Sequence, residues 1–222
     1  MPHLRRFVAI SLAAGLLPEG LAAQTCFGHG SYDVGRYQLM ADAVRGNSAQ
    51  GFSATAGVGS FGFFGMLGVG RVTYDNYPGH TTSVGGVLGF QIDATPSGRA
   101  SICPFGTVSY GFGPEDIDGA GTNVLMQTVT GGLSLGAEVV RRERFSLVPA
   151  AGLGFAYSRT VFRTTDGDVQ DSSPYGIADF GLGFVIDRRV AIRPFVSRPF
   201  GLEDAEASVG VSVSMIFRRE RY

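Results

Sequence analysis

The chain has 222 residues, of which 44% are hydrophobic and only 17% charged, with 34 Gly, 17 Phe, no Trp and a net charge of −1. Soluble domains usually carry roughly 25% charged residues, so an ordinary soluble surface is a poor fit. The near-neutral balance offers nothing to nucleic acid, and no such partner is expected.

Arg5 and Arg6 precede an apolar run from Phe7 to Leu17, which Pro18 and Gly20 break; Leu21, Ala22 and Ala23 then supply small residues before Gln24. This pattern predicts a cleaved export signal over residues 1–23. The run is too short to cross roughly 30 Å of hydrocarbon as a helix, and no later segment reaches about 18 apolar residues. Residues 24–35 follow as a short N-terminal segment. Export places Cys26 and Cys103 in an oxidising compartment, where one disulfide is the simpler expectation and two buried thiols the alternative. Closing so long a loop removes about 4 to 5 kcal/mol of unfolded-state entropy.

From Arg36 onward, stretches with period-two alternation are separated by Gly, Pro, Asp and Asn clusters. The predicted strands are 36 to 44, 52 to 59, 64 to 74, 81 to 92, 100 to 111, 124 to 140, 145 to 161, 175 to 186, 190 to 198 and 206 to 217. Several have one bulky apolar face and one small face. In the seventh, Leu147, Leu153, Phe155 and Tyr157 oppose Ser146, Gly152, Gly154 and Ser158; in the last, Val209, Val211, Val213, Met215 and Phe217 oppose Ser208, Gly210, Ser212 and Ser214.

A small face turned to water would carry many charges. Here it is assigned only Asp42, Arg71, Glu138, Asp179 and Arg193, while Arg159 falls on a bulky face near its strand's end. Lipid against the bulky face and a narrow lumen behind the small one account for both, and strands cross hydrocarbon only as closed barrels. The connections agree. Those after odd-numbered strands hold Asp75, Glu115, Asp116, Asp118, Asp166, Asp168, Asp171, Glu203 and Asp204. Against these stand only Arg45 and Arg163, whereas the even-numbered ones and the tail hold Arg99, Arg141, Arg142, Arg144, Arg188, Arg189, Arg218, Arg219 and Arg221 against Asp93, Glu143, Asp187 and Glu220. The expected fold is therefore all-β, an up-and-down antiparallel transmembrane barrel of ten strands over 36–217, or eight if the first two segments are irregular. Longer acidic loops lie outside and short basic turns in the periplasm, with a basic tail at 218–222.

With its alternating strands and aromatic-ended last strand, the chain resembles small bacterial outer-membrane β-barrels of the OmpA/OmpX-like type over residues 36 to 217. In that family the final strand carries a recognition signal for the barrel-assembly machinery, and Ser208, Gly210, Val213, Met215 and Phe217 match it. Here "RRERY" follows Phe217, which leaves Phe217 or Tyr222 as the terminal aromatic. The resemblance implies an outer-membrane location, outer-membrane lipid and the assembly machinery as partners, and a monomer.

Chemistry is sparse. Outside the export signal there are two histidines, His29 and His80; His80 has Ser83 three residues on, but the spacing fits no hydrolase pattern. Asp166, Asp168 and Asp171 could offer oxygen ligands, yet lack the spacing and terminal Glu of a calcium loop. No catalytic, cofactor or metal site is nominated. The lumen charges are expected to brace the barrel, and a Cys26 to Cys103 bridge to pin residues 24 to 35 at or inside the periplasmic mouth. The expected role is structural or surface-interacting through acidic extracellular loops, with a narrow solute channel as the alternative and a lipid-modifying enzyme a distant third.

Overall fold

The computed structural model describes residues 27–29, 36–60, 62–75, 79–95, 99–115, 123–164, 167–202 and 205–217. Ten long strands run in chain order: β1 Arg36–Arg45, β2 Ala49–Ser60, β3 Phe63–Tyr74, β4 His80–Phe90, β5 Ala100–Glu115, β6 Asn123–Ala137, β7 Phe145–Thr164, β8 Gly167–Ile186, β9 Val190–Phe200 and β10 Ser208–Phe217. Two short extensions, Ile92–Asp93 and Val140–Arg141, prolong β4 and β6 towards the basic turns. Every strand pairs antiparallel with its neighbour in sequence, and β10 returns to β1 through a register from Tyr37↔Phe217 to Arg45↔Val209. The sheet is therefore a closed, up-and-down, ten-stranded barrel.

The outward face settles which solvent it meets. Leu67 is 75% exposed and Phe155 76%, and Leu39, Val69, Leu88, Val108, Val129, Leu133, Leu153, Val211 and Val213 are exposed around the wall. So large a continuous apolar surface is untenable in water and suits hydrocarbon. Aromatic side chains bound this belt on both sides. Tyr37, Phe63, Phe90, Phe145 and Phe217 ring the basic-turn end, and Phe52, Tyr110, Phe112, Phe155, Tyr157, Phe180 and Phe200 lie towards the other. Strands β1, β9 and β10, of 10, 11 and 10 residues, match the roughly 9–11 tilted residues that a bilayer requires.

The predicted thirteen-residue loop 162–174 is not a loop. β7 and β8 each run 20 residues and pair without a break from Ile186↔Phe145 to Gly167↔Thr164. Alternation fails as a strand signal there because both faces stand clear of lipid, so polar residues occupy both. At the opposite end, Ile186 and its partner Val190 are joined by three residues, of which Asp187 and Arg188 both have positive φ, with Arg189 N–H donating to the Ile186 carbonyl at 3.0 Å. Two positive φ values make this the tight hairpin turn whose twist matches its strands.

Inside, the small face forms three zones. Nearest the basic turns is an apolar cluster of Phe27, Met40, Phe64, Met66, Val87 and Cys103, with Phe105 packed against it. Hydroxyls and glycines follow, with Asp42, Thr55, Ser83, Thr107, Thr130, Arg193 and Ser212 all buried. Towards the far end, Val72, Tyr74 and Met126 form one apolar group and Ala156, Tyr175 and Ile177 another, the latter covered by Leu202. Tyr74 Oη donates to Thr81 Oγ1 at 2.8 Å, and Thr81 in turn donates to the Gly113 carbonyl at 2.8 Å.

Candidate functional site

The middle of the lumen is organised by one cation. Arg193, wholly buried on β9, donates through Nη2 to Asp179 Oδ1 on β8. Its guanidinium runs across Gly181, where a Cβ would collide with Arg193 Nε and Cζ. It also lies 5.1 Å from the ring centroid of Phe195, within cation–π range. That explains why an aromatic shares the inward face of β9 with a charge. On the neighbouring strands, Asp42 pairs in register with Ser212, itself opposite Arg193, and accepts a hydrogen bond from Ser53 at 2.8 Å. The arrangement holds charge in place across β8, β9 and β10.

Below the cation, the N-terminal residues Phe27, Gly28 and His29 sit inside the barrel, with Phe27 4% and His29 0% exposed. Phe27 stacks edge-on against Phe64 and Phe105 at 6.3 and 5.4 Å. His29 Nδ1 lies 2.8 Å from Ser214 Oγ on β10. Gly28 adopts φ +74° and passes against Gly183 of β8, where a Cβ would land on the Gly28 carbonyl. Gly183→Ala is therefore expected to cost about 1–3 kcal/mol by overpacking, read as a lowered urea midpoint of the barrel refolded in detergent. Cys103 is fully buried beside Phe27 and carries no free thiol; Cys26 lies outside the described residues.

Among the other charges assigned to the lumen, Arg71 is misplaced. It is exposed on the outward face of β3, in line with Leu67 and Val69, three residues from the strand's end. The alternation there is carried by Gly68 and Gly70, which point inward, and the long Arg side chain can reach water past the belt edge. Glu138 sits in the break between β6 and its extension, where it accepts from Ser146 and pairs with Arg141 at 3.1 Å, bracing the rim at the basic turns. Ser208 and Gly210 of the last strand face inward, while Val213, Met215 and Phe217 face outward. His80 is exposed and Ser83 buried, on opposite faces of β4, so they form no pair. Asp168 is exposed and Asp171 half-buried, while Asp166 lies outside the described residues; among the described residues no cluster suits a metal ion.

Sequence reasoning missed the feature that distinguishes the end opposite the basic turns. β9 joins β8 only from Phe200↔Gly176 downward, yet β7 and β8 continue together to Thr164↔Gly167. β6 follows β7 up to Asn123↔Arg163. The nine residues Ala156–Thr164 therefore carry a raised sheet roughly 30 Å along the strand direction beyond β9. Over Gly167–Pro174 the outer edge of β8 has no strand partner among the described residues. Its side chains include Asp168, Gln170, Asp171 and Ser172 on one edge, with Arg159 Nη2 bonding Gln170 Oε1 at 2.7 Å.

No family model and no curated protein matches the chain. Among solved structures, the translocator domain of the autotransporter NalP from Neisseria meningitidis is similar over 96% of this chain and 98% of its own, with 12% identity and a TM-score of 0.58. The beta domain of the Bordetella autotransporter Brka (13% identity, 83% and 99% covered, TM-score 0.46) and the N-terminal β-barrel domain of Pseudomonas aeruginosa OprF (14%, 82% and 99%, 0.38) are also similar. At these identities the likeness is one of fold.

Proposed function

We propose that the chain is a bacterial outer-membrane β-barrel that conducts no solute and works at the cell surface through its raised sheet and acidic outer residues. The observation that carries this reading is the strand edge Gly167–Pro174, held clear of the membrane with no strand partner among the described residues. An open edge offers backbone N–H and C=O groups to an extended segment of another molecule. Asp168 and Asp171 lie on the open-edged strand itself, with Arg159 and Arg163 on β7 behind it, so this edge favours a basic one. The apolar belt supports the membrane location, and the packed lumen argues against a channel. A cleaved export signal, a Cys26 to Cys103 bridge anchoring the segment that carries Phe27, and contacts of a monomer with outer-membrane lipid and the barrel-assembly machinery complete the proposal.

An immobilised arginine-rich peptide provides the test. Liposomes carrying the barrel are expected to bind it in a salt-sensitive manner, and to lose at least tenfold in affinity when residues 159–172 are replaced by a two-residue turn. Equal binding by the trimmed barrel, with its heat-modifiable gel migration intact, would overturn the surface role.

A further inference from the structure

Phe27, Gly28 and His29 touch both halves of the wall. Phe27 meets Phe64 of β3 and Phe105 of β5 and shares one buried cluster with Met40 of β1, Met66 of β3, Val87 of β4 and Cys103 of β5. Gly28 and His29 lean on Gly183 of β8, Arg193 of β9 and Ser214 of β10. The first set is apolar and indifferent to pH; the second is polar and includes a fixed cation.

We propose that Gly28 and His29 form an acid-released latch, seated against β8–β10 while the imidazole is neutral and expelled from that seat when it takes up a proton. The seat is shaped for the backbone, since any side chain at Gly183 would fill the place of the Gly28 carbonyl. It also brings the latch against the guanidinium, because a Cβ on Gly28 would lie 2.9 Å from Arg193 Cδ and 3.2 Å from Nε. Among the described residues His29 has one partner there, Ser214, and its Nε2 has none. A neutral imidazole tolerates this, but an imidazolium has two donors to satisfy and carries its charge beside another cation.

The remaining groups around the seat do not relieve the repulsion. Among the described residues, β9 contributes Arg193 itself; β8 contributes Asp179, which is engaged by Arg193; β1 contributes Asp42, whose Oδ2 accepts from Ser53; β10 contributes the Ser214 and Ser212 hydroxyls. Burial first, and Arg193 second, lower the His29 pKa from 6.5 to about 3. The docked form therefore binds protons less readily than the released form. Docking is at full strength above pH 6.5 and weakens as pH falls towards 3, by about tenfold per unit, or roughly 100-fold by pH 4.5. Phe27 keeps its apolar cup, so release frees the polar side of the latch and admits water to the lower lumen.

The test is a pH series on the full chain refolded in detergent micelles, following the His29 ring signal by NMR and the Gly28 and His29 amides by hydrogen exchange corrected for intrinsic rate. The His29 signal is expected to hold its neutral position between pH 8 and 6. Exchange of the two amides should accelerate about tenfold per unit below 6.5, an acceleration absent at Gly28 in His29→Gln. A His29 ring titrating near 6.5 while the amides stay protected would overturn the proposal, as would protection independent of pH. The wild-type series reads the outcome even if the variant fails to refold.

Discussion

Leu67→Arg is expected to remove roughly 2–4 kcal/mol from the barrel in a bilayer, or to stop its assembly, and the same change at Leu133 should act similarly. Leu67 is 75% exposed, in the middle of β3, opposite Ala56 and Gly86 on the neighbouring strands. In water, replacing so exposed a leucine with arginine would be neutral or mildly favourable, because no packing is lost and apolar surface is removed. In hydrocarbon the guanidinium must drag water to the midplane or bend towards a rim. The same substitution thus has opposite signs in the two solvents. Unfolding in lipid vesicles by urea, followed by heat-modifiable gel migration, reads the difference; an unchanged midpoint for both variants would place this face in water.

Asp179→Ala should cost about 3–5 kcal/mol, because it strips the carboxylate from an arginine that has no exposure of its own. Two of its nitrogens, Nε and Nη1, already lack a hydrogen-bond partner among the described residues. Asp42 stands nearby but is held by Ser53 and faces the cation only in register. Removing both charges is a different experiment. Asp179→Leu combined with Arg193→Met leaves no uncompensated ion and should recover most of the loss. Urea midpoints for the single and double variants would show it; a loss under about 1 kcal/mol for Asp179→Ala would mean that Arg193 is hydrated and the pair is not a brace.

The closed barrel was legible because lipid imposes alternation on every strand that crosses it. Leu153, Phe155 and Tyr157 against Gly152, Gly154 and Ser158 leave little choice of register. Legibility ends where the membrane does. In Gly167–Pro174 water touches both faces, so "GDVQDSSP" reads as a loop although it is a strand paired residue for residue with β7. Arg71 misled for a related reason: next to glycines the face assignment rests on residues with no side chain, and near a rim a long cation can sit on the lipid face. The latch was legible only in outline. The two cysteines suggested a tether to the lumen, but the seat is made of absences, Gly181 and Gly183, and of a histidine whose partner lies 185 residues away. Spacing along the chain carries no trace of such a contact.

The claim that ties these features together is that the lumen is filled, by apolar clusters at both ends and the Arg193 network between them. Single-channel recording of the purified barrel in planar bilayers at neutral pH tests it most directly. No reproducible conductance steps are expected, even at high salt and with the raised sheet trimmed; regular steps of uniform size would show an open path through the barrel and contradict a sealed lumen.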